Sequence, residues 1–163
     1  MNVLNTVADI IGEKRYRDVK PLTERFIGTF YDADRHLFCD GAEHRHISLV
    51  GNVFPYAFSI LPDEEFEPAF LGLLDEKGYA ATSFFTSFAL LYGFAVRGDT
   101  ERIRQFILDG GTWKRMLDEN ATTTFEGWGK DCKWNTSLFH LTLSDAAVFM
   151  TDTDLKKLFS VKI

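Results

Sequence analysis

The chain has 163 residues, of which 45% are hydrophobic and 15% aromatic, including sixteen phenylalanines. This composition excludes a disordered chain and predicts a single domain with a sizeable core, spanning residues 1–163. The formal net charge is −6 and no basic stripe is present, which argues against nucleic acid and membrane partners and favours a neutral ligand.

Helical periodicity dominates the sequence, because apolar residues recur at intervals of three and four. Asp18 and Asp99 are predicted N-caps, and Pro55 predicts a kink or a late start in the third helix. The helix at 82–97 is apolar nearly all round, which predicts burial on two sides. Seven helices are predicted, at residues 7–11, 18–30, 46–61, 62–78, 82–97, 99–110 and 112–117.

The connections between these helices are mostly short turns, so the helices form pairs. Residues 31–41 are polar and turn-like, and no segment alternates for long with period two, so no sheet is expected. Residues 120–135 are irregular, and the apolar runs at 148–150 and 159–163 fit either a helix end or a strand. The sequence therefore predicts an all-α fold of successive αα-hairpins.

The positions of the cysteines and histidines, together with the first thirty residues, lead to expectations about metal sites and cellular location. Cys39 and Cys132 lie far apart and form no metal-binding pair. A helix would point His44 and His46 to different faces, so no metal site and no cofactor are predicted. The first thirty residues carry charges throughout, which predicts neither a signal peptide nor a membrane span. We expect a cytoplasmic chain with free thiols.

The segment 120–140 has the richest chemical content. Glu126 is a single carboxylate between Phe125 and Trp128, and partial burial against these rings is expected to raise its pKa toward that of a useful base. Gly127 and Gly129 are expected to let the backbone approach a ligand closely.

Four further side chains of this segment suit a carbohydrate. Trp128 and Trp134 offer flat faces for the CH-rich side of a sugar ring, and Asn135 and His140 can form hydrogen bonds with its hydroxyls. The alternative at this point is a structured loop whose tryptophans pack on the core.

Residues 121–140, ATTTFEGWGKDCKWNTSLFH, resemble the signature of α-L-rhamnosidase-like glycoside hydrolases (family 78). In that family a Thr-Thr-x-Trp-Glu segment precedes a Ser-x-x-His segment near the end of the catalytic barrel. Residues 123–126 are similar to the first segment and residues 137–140 to the second. The preceding GGTWKRMLDEN, residues 110–120, is similar to the helix that leads into the family's glutamate, and a looser likeness extends back to about Phe30.

The resemblance implies an (α/α)6 six-hairpin glycosidase barrel and an inverting hydrolysis of terminal α-L-rhamnosides. It implies that Glu126 is the general base and that His140 contacts the sugar. Two positions depart from the family pattern. Phe125 replaces the usual tryptophan, and residues 141–145 lack the usual Gly or Pro.

An inverting hydrolase needs two carboxyl groups, an acid and a base. The family's acid lies in an acidic, Arg-containing motif that this chain lacks, and Asp32, Asp34 and Asp40 are spaced as turn residues instead. A twelve-helix barrel also needs roughly 200 residues. The chain therefore resembles the C-terminal half of a catalytic domain. Such a half could be encoded by a short gene of its own or be a truncated piece of a longer protein.

A half barrel would expose apolar helix faces, so we expect a homo-oligomer or pairing with a chain that carries the missing half. Three functions remain open on the sequence: part of a glycosidase that is incomplete alone, a non-catalytic carbohydrate-binding or assembly module, and a helical-hairpin protein of unrelated function. Whether the chain by itself is an enzyme is left undecided.

Overall fold

The computed structural model describes residues 2–12, 19–61 and 64–151, and this part of the chain is mostly helical. The predicted all-α character is confirmed there, with one two-stranded exception. In chain order the elements are α1 (Asn2–Ile11), α2 (Lys20–Phe30), β1 (Tyr31–Asp32), β2 (Leu37–Phe38), α3 (Leu49–Ala57), α4 (Phe66–Lys77), α5 (Phe84–Arg97), α6 (Thr100–Leu108), α7 (Trp113–Asp118) and α8 (Ala146–Thr151), with 3-10 turns at Tyr79–Ala81 and Leu141–Leu143.

Helix α3 is shorter than predicted at both ends. It begins at Leu49 because Ser48 is its N-cap, and the Ser48 hydroxyl accepts a hydrogen bond from the backbone N–H of Gly51 at 3.0 Å. Pro55 lies inside the helix, which ends at Ala57. Pro55 therefore does not set the start of the helix, as one of the two expectations for it required, and the kink expected there stays a prediction.

The boundary between α5 and α6 agrees with the sequence signals. Gly98 ends α5 in the left-handed conformation, with φ of 73°. The Asp99 side chain then accepts a hydrogen bond from the N–H of Arg102, and so caps α6. The predicted cap at Asp18, the predicted helix start at 62–63 and the apolar run at 159–163 lie outside the described residues.

A small β-hairpin replaces the connection predicted as a turn at residues 31–41. The strands are antiparallel, with Tyr31 paired to Phe38 and Asp32 paired to Leu37. The Asp32 carboxylate closes the turn by accepting hydrogen bonds from the N–H groups two and three residues later, at 3.1 and 3.2 Å. It also pairs with the Arg35 guanidinium at 2.8 Å. The expected turn role of Asp32 is thus confirmed, and the expectation of no sheet is wrong, since the two strands form a small sheet.

One fully buried amide joins this hairpin to α3. The side-chain oxygen of Asn52 accepts a hydrogen bond from the Phe38 N–H at 2.7 Å. Its amide nitrogen donates to the carbonyls of Phe38 and Ser48 at 3.0 and 2.9 Å. Asn52 therefore fixes the hairpin against the helix by forming hydrogen bonds with backbone groups that the pairing of the two strands does not use.

The core is centred on the contact between α3 and α5. Tyr56 of α3 stacks on Phe70 of α4, with ring centroids 4.4 Å apart, and meets the edge of Phe94 of α5. At Gly93 an added Cβ would lie 2.8 Å from the Tyr56 ring and 3.1 Å from the Ala57 Cα. Glycine at position 93 is what allows α5 to approach α3 this closely.

Most of α5 is buried, as its apolar sequence predicts, yet Phe85 and Phe88 keep 71% and 44% of their surface exposed. Cys39 is buried, Cys132 is exposed, and both are free thiols. Within the described ranges, no helix combines the length and the apolarity that crossing a bilayer requires.

Candidate functional site

The loop that connects α7 to the last 3-10 turn contains every residue predicted for the site. Trp128 attaches this loop to the start of α5, because its indole N–H donates to the Thr82 carbonyl at 2.6 Å. The Trp128 ring meets that of Trp113 edge to face, with centroids 4.8 Å apart. Trp128 is partly buried in this packing, and its predicted contact with a sugar stays a prediction.

A second attachment is electrostatic. The Glu119 carboxylate, at the end of α7, accepts hydrogen bonds from the Arg115 Nε and from the backbone N–H of Lys130, both at 2.8 Å. Arg115 also reaches the Asp131 carboxylate of the loop. The middle of the loop is therefore held to α7 by charged side chains.

The two loop glycines are explained by packing within the protein. Gly129 has φ of 126°, and an added Cβ would lie 2.5 Å from the Arg115 Cζ. At Gly127 an added Cβ would collide with the Cys132 Sγ. Both glycines make room for neighbouring side chains, which is a role that the sequence did not suggest.

The structure brings the two motif segments side by side. The Glu126 N–H donates to the Ser137 carbonyl and the His140 N–H donates to the Thr124 carbonyl, both at 2.8 Å. The Thr124 hydroxyl also donates to the His140 carbonyl. We call residues 124–126 and 137–140 the paired segments. Their backbone hydrogen bonds place Glu126 beside Ser137, with His140 close enough to influence its charge.

Glu126 is held as a carboxylate. Its Oε1 pairs with the Lys133 ammonium at 2.6 Å, and its Oε2 accepts a hydrogen bond from the Ser137 N–H at 3.1 Å. The Lys133 hydrogen bond lowers the pKa of Glu126, and the Ser137 N–H and His140 act in the same direction. The expected rise in pKa is wrong, because the opposing effect of burial is outweighed by an adjacent cation.

The remaining predicted residues of the loop differ in their exposure to solvent. Trp134 is 95% exposed and Asn135 is also exposed, and both directly follow Lys133 at the tip of the loop. His140 is partly buried at the end of the paired segments. Phe125, the neighbour expected to bury Glu126, is itself only 2% exposed and packs in the core.

Asp145 is the carboxyl group with the properties expected of a general acid. Burial raises the pKa of Asp145 to about 6, and the backbone N–H groups of residues 145 and 146 offset this only in part. A raised pKa is what an acid catalyst needs. However, both of its carboxylate oxygens are buried, and the nearby N–H groups of residues 145 and 146 do not reach them in good hydrogen-bonding geometry, so a substrate has no access to them. Asp145 is therefore unsuited to the missing role.

A cavity of about 360 Å³ lies between α6, α7 and α8, and the sequence did not predict it. Glu126 is not among its lining residues, and no carboxylate lines it. Its walls are apolar apart from four hydroxyl side chains. The lining comprises Ile107, Trp113, Met116, Leu117, Ala121, Thr122, Thr123, Thr124, Leu143, Ser144, Ala146, Ala147 and Met150.

The described residues offer no ligand set of the kind that binds metal ions. In the part of the chain that the structure describes, no three His, Cys, Asp or Glu side chains come together in a way that would hold an ion. The chemistry available to the loop is thus that of an ionised carboxylate, an ammonium, an imidazole and an exposed indole.

No family model, no curated protein and no solved structure matches the chain.

Proposed function

We propose that this chain supplies the base-bearing half of a glycoside hydrolase site of the inverting α-L-rhamnosidase type, within a partial (α/α)6 barrel. Glu126 is the general base of the proposal, and the chain does not complete the reaction alone. The observation that carries it is the backbone pairing of residues 124–126 with 137–140, which unites the two halves of the family-like motif at one carboxylate.

The state of Glu126 suits a base that activates water. A general base must be ionised before it accepts a proton, and the lowered pKa keeps Glu126 ionised at neutral pH. Each of its oxygens accepts one hydrogen bond, from Lys133 or from Ser137. Since a carboxylate has about four lone-pair positions, a water molecule can still donate to either oxygen.

The sugar contacts of the proposal come from the neighbouring side chains. His140 would hold a hydroxyl, and Asn135 would bind another. Trp134 presents an indole that is 95% exposed. An apolar ring face gives up little hydration when it packs against the CH side of a sugar. Trp128 would contribute only the part of its ring that the core leaves uncovered.

The acid must then come from elsewhere. Inverting pairs of carboxyl groups lie about 6.5–9.5 Å apart so that a water fits between them. Both carboxylate oxygens of Asp145 are buried, so the proposal places the acid on another chain. A chain that carries the missing half barrel would provide it, and a second copy of this chain is the other candidate.

A non-catalytic carbohydrate-binding module is the second proposal, and the same ion pair favours it. A carboxylate fixed by Lys133 and Ser137 is a rigid hydrogen-bond acceptor for a sugar hydroxyl. Its lowered pKa makes it a weaker proton acceptor than a base tuned near neutrality. In this case the loop binds sugar and no acid is needed.

We also propose a cytoplasmic location. Cys39 and Cys132 are both free, which fits a compartment that keeps thiols reduced.

Hydrolysis of an aryl α-L-rhamnoside tests whether the site in this chain is complete. The chain alone is expected to release no aryl alcohol above background, because the carboxylate oxygens of Asp145 are buried and the proposal places the acid on another chain. Robust turnover that Glu126→Gln abolishes would show that the site is complete and would overturn the half-site proposal.

Sugar binding is measured by titrating L-rhamnose while recording tryptophan fluorescence. We expect a change that Trp134→Phe removes and Glu126→Gln weakens. The matched control is Glu101→Gln, an exposed glutamate on α6, which should leave the change intact. A fluorescence signal that saturating sugar leaves unaltered would contradict both carbohydrate proposals.

A further inference from the structure

The cavity between α6, α7 and α8 has an apolar floor that belongs to the packed core. Ile107, Trp113 and Met116 line it and keep only 5%, 7% and 2% of their surface exposed. The indole N–H of Trp113 donates to the Leu143 carbonyl at 2.6 Å, which holds α7 against the 3-10 turn that precedes α8. The floor is therefore fixed by contacts within the protein and needs no rearrangement to receive a ligand.

Two apolar side chains of the lining reach solvent. Leu117 of α7 and Met150 of α8 are 68% and 64% exposed, so the cavity opens to solvent beside them. Methionine is flexible and its sulfur makes favourable contacts with aromatic rings. With Met116 in the floor and Met150 at the opening, the cavity offers such contacts from two sides.

The lining is uncharged. Asp145 lies between two lining residues but is itself absent from the described lining, as is every other ionisable side chain. The charges of α7 are paired outside the cavity, since Lys114 contacts Asp118 at 2.5 Å and Arg115 contacts Glu119 at 2.8 Å. A charged ligand would lose its hydration in the cavity without gaining a counter-charge. The ligand must therefore be uncharged.

Four hydroxyl side chains supply the polar part of the lining. Thr124 and Ser144 already donate to backbone carbonyls of the protein. The hydroxyls of Thr122 and Thr123 form no hydrogen bond within the described part of the chain. Since a hydroxyl both donates and accepts, these two are available to a hydroxyl group on a ligand.

We propose that this cavity binds a small aromatic alcohol, a molecule with a flat apolar body and one uncharged hydroxyl group. Ligand sites commonly measure about 300–1,000 Å³, with apolar walls and a few polar groups, and this cavity of about 360 Å³ fits that description. A cavity of about 150 Å³ holds one benzene molecule, so this one holds roughly 14 non-hydrogen atoms. Glu126 does not line the cavity, so the site is independent of whether that residue acts on a sugar.

Titration of the full chain with 2-naphthol, a fused pair of aromatic rings with one hydroxyl, tests the proposal by NMR. Saturable shifts should map to the amides of residues 121–124 and 143–147 and to the indole N–H of Trp113. A ligand of this size should have a dissociation constant on the order of 0.1–1 mM. 2-Naphthalenesulfonate keeps the rings but carries a charge, and it should bind at least about tenfold more weakly.

Two variants test the walls separately. Ala147 lines the cavity from the exposed side of α8, so Ala147→Phe should fill the space and abolish binding. The matched control is Ala42→Phe in the exposed loop before α3, which should bind like the wild type. Thr123→Val keeps the shape of the side chain without its hydroxyl, and it should weaken 2-naphthol binding about 3–10-fold while leaving the binding of naphthalene unchanged.

The wild-type spectra decide the question even if a variant fails to fold. An absence of shifts with 2-naphthol at about 2 mM, above the expected dissociation constant, overturns the proposal. So do shifts that map away from α7 and α8, binding of the sulfonate as tight as that of the alcohol, or full binding by folded Ala147→Phe.

Discussion

Replacing Asp145 by asparagine should stabilise the protein at neutral pH. Both oxygens of the wild-type carboxyl group are buried and receive no hydrogen bond of good geometry, and burial raises the pKa of the group from 3.8 to about 6. Asparagine has nearly the same shape but does not ionise. The variant therefore removes the cost of keeping a charge in this site, without opening a cavity.

The magnitude follows from the shift in pKa. A difference of about 2 units corresponds to about 3 kcal/mol at most, which we reduce to about 1–2 kcal/mol because solvent screens part of the side chain. Well below pH 3.8 both the folded and the unfolded state hold the Asp145 proton. Between about pH 4 and 6 the unfolded state releases it first, so the free energy of unfolding falls as pH rises and then levels off.

Urea unfolding followed by circular dichroism at pH 4.5, 5.5, 6.5 and 7.5 measures this effect. Asp145→Asn should exceed the wild type by about 1–2 kcal/mol at pH 7.5, and the difference should shrink toward pH 4.5. Asp34→Asn, in the exposed hairpin turn, is the control and should track the wild type. A variant that is no more stable than the wild type at pH 7.5 would refute the reasoning.

Three further predictions concern side chains at other points of the fold. Lys133→Met should raise the pKa of Glu126 toward its ordinary value in a carboxyl NMR titration, since the ammonium is the main cause of the lowering, and an unchanged pKa would contradict that cause. Gly93→Ala should lower the free energy of unfolding by about 1–3 kcal/mol through overpacking. Gly72→Ala, a helical position with open space around it, should raise it by about 0.5–1 kcal/mol; equal effects would refute the steric argument. Asn52→Leu should cost about 1–3 kcal/mol by leaving buried backbone groups unsatisfied, and a neutral result in urea unfolding would mean that water replaces the amide.

The features predicted well from the sequence are those set by a few adjacent residues. Gly98 and Asp99 mark the boundary between α5 and α6 because a left-handed C-cap and an N-cap are local requirements. The β-hairpin was not predicted, since two residues per strand leave no alternating pattern. Its attachment depends on Asn52, which meets Phe38 only after the chain has folded back.

The candidate site shows the same limit. The sequence correctly indicates that residues 120–140 contain an irregular segment, but the chain neighbours of Glu126 suggest an apolar environment. The loop instead turns Lys133 onto the carboxylate at 2.6 Å, while Phe125 packs into the core. The direction of a pKa shift depends on the path of the loop in space, which residue types alone do not determine.

The packing around the loop glycines defines which substitutions related sequences can tolerate. Gly129 combines a positive φ with a neighbouring guanidinium, so it should stay glycine in any chain that folds this loop in the same way, whatever replaces Arg115. Gly127 is restricted by the Cys132 side chain, whose Sγ and Cβ are the atoms that an added Cβ would meet. Alanine at position 127 should therefore occur together with glycine at 132, and this paired exchange would identify distant relatives that keep the same loop after the rest of its sequence has diverged.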